Sequence, residues 1–164
     1  MFDKERFHIV QNPSEGRLIE MWLTMENEGL VDVVFYDGII DSLKKFMNFS
    51  GKHLYSFYYD AQLVGFSWLT HLETTSAGKS CRLHYCTFRA GKRILRPATE
   101  HWINFLLKHY DFLFGHTPEN NHSGVTFLKR VGFKVIGKIP EFAFIAKEGS
   151  KCDLIISYKK KEMV

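Results

Sequence analysis

His84 sits near the middle of an alternating stretch, residues 80–89. Imidazole titrates near neutrality, so a histidine on such a strand has the chemistry of a general base. The alternative is a histidine hydrogen-bonded inside a sheet. His71 and Glu73 close the preceding stretch, 63–73, where they could line the same pocket or simply end a solvated strand. His116 follows the short apolar run 111–115 and reads as a second base or as a turn residue. Arg89, Lys92, Arg93 and Arg96 crowd between a strand pattern and a helix pattern. Such a cluster attracts anions, unless it is only a solvated basic loop. Asn121 opens a helix pattern and suits its N-cap. Tyr85 alternates away from His84 and reads as core packing. His116 and His122 lack a third ligand at suitable spacing, so no metal site is expected.

The elements that must position these groups follow from the patterning. The chain has 164 residues, 45% hydrophobic and 24% charged, which suits one globular domain over 1–164 and excludes disorder. Net charge is +4, part of it in Lys159, Lys160 and Lys161, too little to choose a partner class. The three cysteines fit no zinc or redox spacing, and Cys81 and Cys86, five apart on a strand, face opposite ways. A reducing cytoplasm is expected. No apolar run approaches the roughly 18 residues of a membrane span, so no membrane role is expected.

Residues 7–10 read as a strand. Ser14 opens a helix with Leu18, Ile19, Trp22, Leu23 and Met25 on its stripe. A second helix is predicted over 39–49, ended by Ser50 and Gly51. Residues 53–59 and 63–73 make an antiparallel hairpin, 74–79 a loop and 80–89 a strand. A basic loop leads to a helix over 97–110, with Ala98, Trp102, Phe105, Leu106 and His109 in register. A strand at 111–115, a helix over 121–131 stopped by Gly132, and strands at 133–146 and 152–158 complete the chain. Strand, helix, strand in the middle implies a parallel crossover in an otherwise antiparallel α/β sheet with helices on its faces.

Three stretches, within residues 53–158, carry a family resemblance. Leu63-Val64-Gly65-Phe66 follows a polar turn, residues 80–110 give strand, basic loop and helix, and residues 121–133 run from Asn121 to Gly132-Phe133. The chain resembles the GNAT superfamily of N-acetyltransferases. Gly115, Thr117-Pro118, Gly137 and Ile139-Pro140 are similar to a subset of phage and prophage GNAT-like proteins. The resemblance implies acetyl-CoA as co-substrate, held in a V between the strands 80–89 and 111–115. Pyrophosphate would rest on amides around Arg89, Gly91, Lys92, Arg93 and Ile94. Pantetheine would bond the main chain of Cys86, Thr87 and Phe88, and Asn121 would reach it from the next helix.

The activity implied is acetyl transfer to an unidentified primary amine, on a small molecule or a peptide, by direct attack. The base would be His84, a water held by His84 and Glu73, or His116. Two positions differ from the family pattern. The basic loop has one glycine, and Leu128 stands where many members place a tyrosine that protonates the leaving thiolate. Both differences fit an alternative, a non-catalytic GNAT-fold protein that binds acyl-CoA or a protein partner. A nucleic-acid binder would use the basic loop and lysine tail, but no recognised module is present. The oligomeric state is open.

Overall fold

The computed structural model describes residues 2–49 and 53–162. Its elements are β1 (Phe7–Gln11), α1 (Glu15–Glu28), α2 (Val31–Val34), α3 (Leu43–Phe49), β2 (Leu54–Tyr59), β3 (Gln62–Thr75) and β4 (Gly78–Thr87). A 3-10 helix (Arg89–Ile94), α4 (Leu95–Leu106), β5 (Phe112–Pro118), α5 (His122–Arg130), β6 (Lys134–Ile145) and β7 (Ser150–Lys160) follow. The strand order is β1-β2-β3-β4-β5-β7-β6. β1–β2, β2–β3 and β5–β7 pair antiparallel and β4–β5 parallel, which is the mixed sheet expected. Contacts divide the chain into two compact units. The first runs to Trp68 and takes in Tyr85–Leu95 and Phe144–Ser150. The second holds Leu69–His84, Arg96–Ala143 and the chain from Lys151 onward. Among the described residues no helix is long and apolar enough to cross a membrane.

In the first unit α1 lays Leu18, Met21, Trp22 and Met25 into the core, positions i, i+3, i+4 and i+7 of one helix face. Leu23, expected on that stripe, is 49% exposed. Gly29 ends α1 at φ +67°, where a side chain is disfavoured; its N–H donates to Glu26 O, and Leu30 N–H donates to Met25 O. The helix expected over 39–49 is α3, which starts at Leu43 and not at residue 39, and the short α2 before it is not among the expected elements. Asp37 Oδ1 accepts the Ile39 N–H and Ser42 Oγ meets the Lys45 N–H, so local side-chain bonds hold a turn where periodicity alone predicts helix. The expected stop at Ser50 and Gly51 lies outside the described residues. β3 is buried continuously from Leu63 to Leu69, not on one alternating face. Aromatic rings bind these elements: Trp22 to Phe46 at 5.7 Å, Phe46 to Phe66 at 6.1 Å and Phe66 to Phe88 at 5.8 Å. Each such ring, removed from water, contributes on the order of 2–3 kcal/mol. Phe88 is fully buried and anchors the start of the 3-10 helix.

In the second unit β3 and β4 meet in a tight hairpin, where the sequence predicts a loop over 74–79. Thr75 Oγ1 closes it, accepting the Ala77 N–H and donating to Gly78 O. α4 buries Ala98, Thr99, Trp102, Ile103 and Leu106. It ends before His109, and Phe105 is 36% exposed, so neither belongs to the buried stripe. β5 lies between β4 and β7 and is fully paired to β7 from Phe112 to Pro118. β6 is the edge strand, with Val135, Ile136, Ile139 and Phe142 exposed.

Candidate active site

The parallel ladder of the second unit sets the geometry. Ser80 pairs Phe112, Cys81 pairs Leu113 and Arg82 pairs Phe114. Among the described residues the pairing stops there, although β4 runs to Thr87 and β5 to Pro118. His84 and His116 each stand two residues past the last pair, at equivalent positions on strands that no longer bond. Neither histidine's spacing in the sequence shows this; the register does.

His84 Nε2 lies 2.9 Å from Thr70 Oγ1, and His71 Nδ1 lies 3.1 Å from the same oxygen. Thr70 therefore bridges a half-buried imidazole on β4 to an exposed one on β3. Burial, then the Arg82 charge and the neighbouring His116 and His71, push His84 down to about 3. Burial, Arg82 and His71 push His116 down to about 4. These shifts hold both rings neutral at physiological pH. Glu73 lies exposed near the end of β3, and no described contact ties it to His84. Sequence reasoning missed the part of Thr70, because a lone threonine on a strand carries no signal until its cross-strand neighbour is known.

Asn121 is the N-cap of α5. Its Oδ1 accepts the Gly124 N–H at 3.0 Å and the Ser123 hydroxyl at 3.2 Å. Replacing Asn121 by Ala should cost about 1 kcal/mol, with Asp or Ser restoring most of it, in a urea unfolding comparison. Leu128, on the same helix, sits against β5: its methyl carbons lie 3.4 and 3.8 Å from where a Cβ on Gly115 would be. That position therefore offers an apolar contact and no proton. Among the described residues no group of three or more His, Cys, Asp or Glu could hold a metal.

In the first unit the stretch expected as a basic loop is the 3-10 helix. Such a helix turns its amides onto its own carbonyls. Gly91 N–H donates to Phe88 O at 2.9 Å and Leu95 N–H donates to Lys92 O. The Arg89 N–H meets the Glu28 carboxylate, at 2.8 and 3.0 Å from its two oxygens. Arg89, Lys92 and Arg93 remain exposed, and Ile94 is half-buried. Arg96 pairs with Glu100 at 2.9 Å. Gly91 is buried, and a Cβ there would run into the Val64 carbonyl oxygen, so the position takes glycine. Thr87 Oγ1 is buried with no hydrogen-bond partner. Tyr85 stacks on Phe57 at 5.6 Å, as core packing requires. Burial and, second, the Glu28 charge push the Cys86 thiol up, so it stays a thiol at neutral pH and is no nucleophile.

No protein-family model matches the sequence, and no curated protein matches it. Solved structures do match. The spermidine N-acetyltransferase of Vibrio cholerae, in complex with CoA and spermine, superposes with a TM-score of 0.78 at 14% identity, covering 96% of this chain and 97% of that one. The fold is that of the GNAT acetyltransferases. RimL, a ribosomal L7/L12 alpha-N-protein acetyltransferase in complex with coenzyme A, gives 0.77 at 9% identity over 94% of both chains. The microcin C7 self-immunity acetyltransferase MccE, in complex with acetyl-CoA and AMP, gives 0.75 at 14% identity, covering 96% of this chain and 93% of that one. At these identities the GNAT likeness is one of architecture.

Proposed function

We propose that the protein is an acetyl-CoA-dependent N-acetyltransferase that acts on a primary amine by direct attack. The observation that carries this reading is the parallel β4–β5 pair, which stops bonding beside two neutral histidines in a fold built like the GNAT acetyltransferases. The amine nitrogen forms a bond to the thioester carbon, the C–S bond breaks, and the nitrogen gives up a proton. His84 serves as base, and His116 and Glu73 are further candidates on the acceptor side. Direct attack, not an acetyl-cysteine, fits the raised Cys86 thiol.

In the first unit the main chain of Cys86, Thr87 and Phe88 is proposed to bond pantetheine. Thr87 Oγ1 fits that assignment as a buried hydroxyl lacking a partner, a condition that costs about 1–3 kcal/mol. Arg89, Gly91, Lys92, Arg93 and Ile94 are proposed to receive pyrophosphate, chiefly through the exposed cations, because the amides of Arg89 and Gly91 are already engaged. In the second unit Asn121 is proposed to contact the pantetheine through its amide N–H groups, since its oxygen caps α5.

Arg93→Glu should weaken acetyl-CoA binding about tenfold or more by reversing a charge beside phosphate. Titration calorimetry checks this, and unchanged affinity in a folded variant counts against the site. Release of the CoA thiol with a panel of polyamines and N-terminal peptides tests the activity; the panel follows the spermidine and ribosomal-protein enzymes of the same fold. A non-catalytic protein is favoured specifically by Leu128 and by Glu28 on the Arg89 amide, and acetyl-CoA binding without any turnover would decide for it.

A further inference from the structure

We propose that Thr70 and His71 form a relay that carries a proton from His84 to solvent as His84 takes one from the amine, a deepening that rests on the acetyl-transfer reading above. Thr70 Oγ1 lies 2.9 Å from His84 Nε2 and 3.1 Å from His71 Nδ1. A hydroxyl has a single proton and can donate to only one of the two rings; in the relay it donates to one and accepts from the other. In that arrangement the tautomers of the two histidines are linked. When His84 Nε2–H donates to Thr70, the Thr70 hydroxyl donates to His71 Nδ1, and the opposite polarity reverses both bonds.

A concerted hop from the first polarity to the second moves one proton from His84 to His71 and leaves the hydroxyl intact. His84 takes a proton from the attacking amine at Nδ1. Its Nε2 proton passes to Thr70 Oγ1, the Thr70 proton passes to His71 Nδ1, and solvent takes a proton from exposed His71. As the C–S bond breaks, His84 gives its Nδ1 proton to the thiolate in concert with the reverse hop, so that Nε2 regains a proton as Nδ1 loses one and the ring stays neutral. The reverse hop, fed from solvent at His71, restores the starting polarity. A single histidine thus serves base and acid steps, which supplies the proton that Leu128 cannot.

Two further observations support the relay. His84 faces Arg82, His116 and His71, and with burial these disfavour a proton resting on it, so a proton that arrives is passed on. His71 holds its backbone at φ +48°, a left-handed conformation uncommon outside glycine and worth noting where a side chain is chemically engaged.

The test is Thr70→Val, which keeps the shape and removes the hydroxyl, assayed for thiol release with a productive amine. The expected result is a fall in kcat of about tenfold to a hundredfold, with KM for acetyl-CoA unchanged. Thr70→Ser should restore turnover. His71→Asn, which tolerates the left-handed backbone and cannot relay, should lower kcat in the same way and guards against a folding failure at Thr70. The wild-type solvent deuterium isotope effect should shrink in both impaired variants. Wild-type kcat and isotope effect in folded Thr70→Val and His71→Asn overturn the relay alone. No transfer by the wild type to any amine overturns the acetyl-transfer reading, and the relay with it.

Discussion

Between neutrality and about pH 4 the folded protein should lose stability steeply, with His84 as the main cause. Its imidazole is held at about 3 in the folded chain, against 6.5 for the free group. Above 6.5 neither state carries the proton, and this group adds no pH dependence. Below 6.5 the unfolded chain takes up a proton that the folded chain refuses, so stability falls as the pH falls. The loss ends below about 3, where the folded chain protonates as well. For one such group the slope approaches ~1.4 kcal/mol per pH unit. Across the window it reaches several kcal/mol, a large share of the roughly 5–15 kcal/mol that holds a domain folded. His116 adds loss of the same sign, ending at about 4. Asp41, exposed, and Asp153, half-buried, are held low by hydrogen bonds from Lys45 and Lys138 and act only at the bottom of the carboxylate range, outside most of the histidine window. Urea midpoints measured down the pH scale should decline in the wild type and flatten in His84→Gln. A wild-type midpoint that stays constant to about pH 4.5 would falsify the buried, neutral histidine.

Apart from the short α2, which buries no residue and so leaves no apolar stripe to read, the order of elements and the parallel crossover were legible because they rest on local signals. Period-two and helical apolar patterns bounded by turn residues locate β2, β3, α4 and α5 within a few residues. What stayed hidden depends on neighbours distant in sequence or on competing local bonds. The Ser42 and Asp37 side chains delay α3 to Leu43, and apolar spacing cannot register them. Residues 89–94 have one glycine and several cations, a composition that a loop and a 3-10 helix share. Phe88, buried against Phe66, decides between them by fixing where the turn begins. The Thr70–His84 contact joins residues fourteen apart through the β3–β4 hairpin, so it appears only once strand register is known. His84 could be named as a base from its residue type. Its low basicity could not, because that comes first from burial and then from Arg82, His116 and His71.

Gly91→Ala is expected to be among the most destabilising single-methyl additions in the chain, while Gly16→Ala should stabilise it. A Cβ on Gly91 would run into the Val64 carbonyl oxygen and would lie 3.1 Å from Val64 Cβ and 3.2 Å from Thr87 Cγ2. The first obstacle is backbone, and Val64 O also accepts the Phe88 N–H at 3.0 Å, so it cannot withdraw without breaking that bond. Overpacking of this kind plus a weakened hydrogen bond should cost about 2–4 kcal/mol. The glycine is needed for close approach, since Gly91 is not among the positive-φ residues. Gly16, inside α1, has nothing within 4 Å of its Cβ position, so alanine there gains helix propensity of about 0.5–1 kcal/mol at no steric cost. Chemical unfolding of the two variants beside the wild type gives opposite signs if the packing is as described. The same comparison reaches function. Gly91 sits inside the 3-10 helix that presents Arg89, Lys92 and Arg93, so displacing it from Val64 should also weaken acetyl-CoA binding. Equal stability of Gly91→Ala and wild type, with acetyl-CoA affinity intact, would show that this helix does not rest on β3 and would remove the platform on which the proposed pyrophosphate contacts stand.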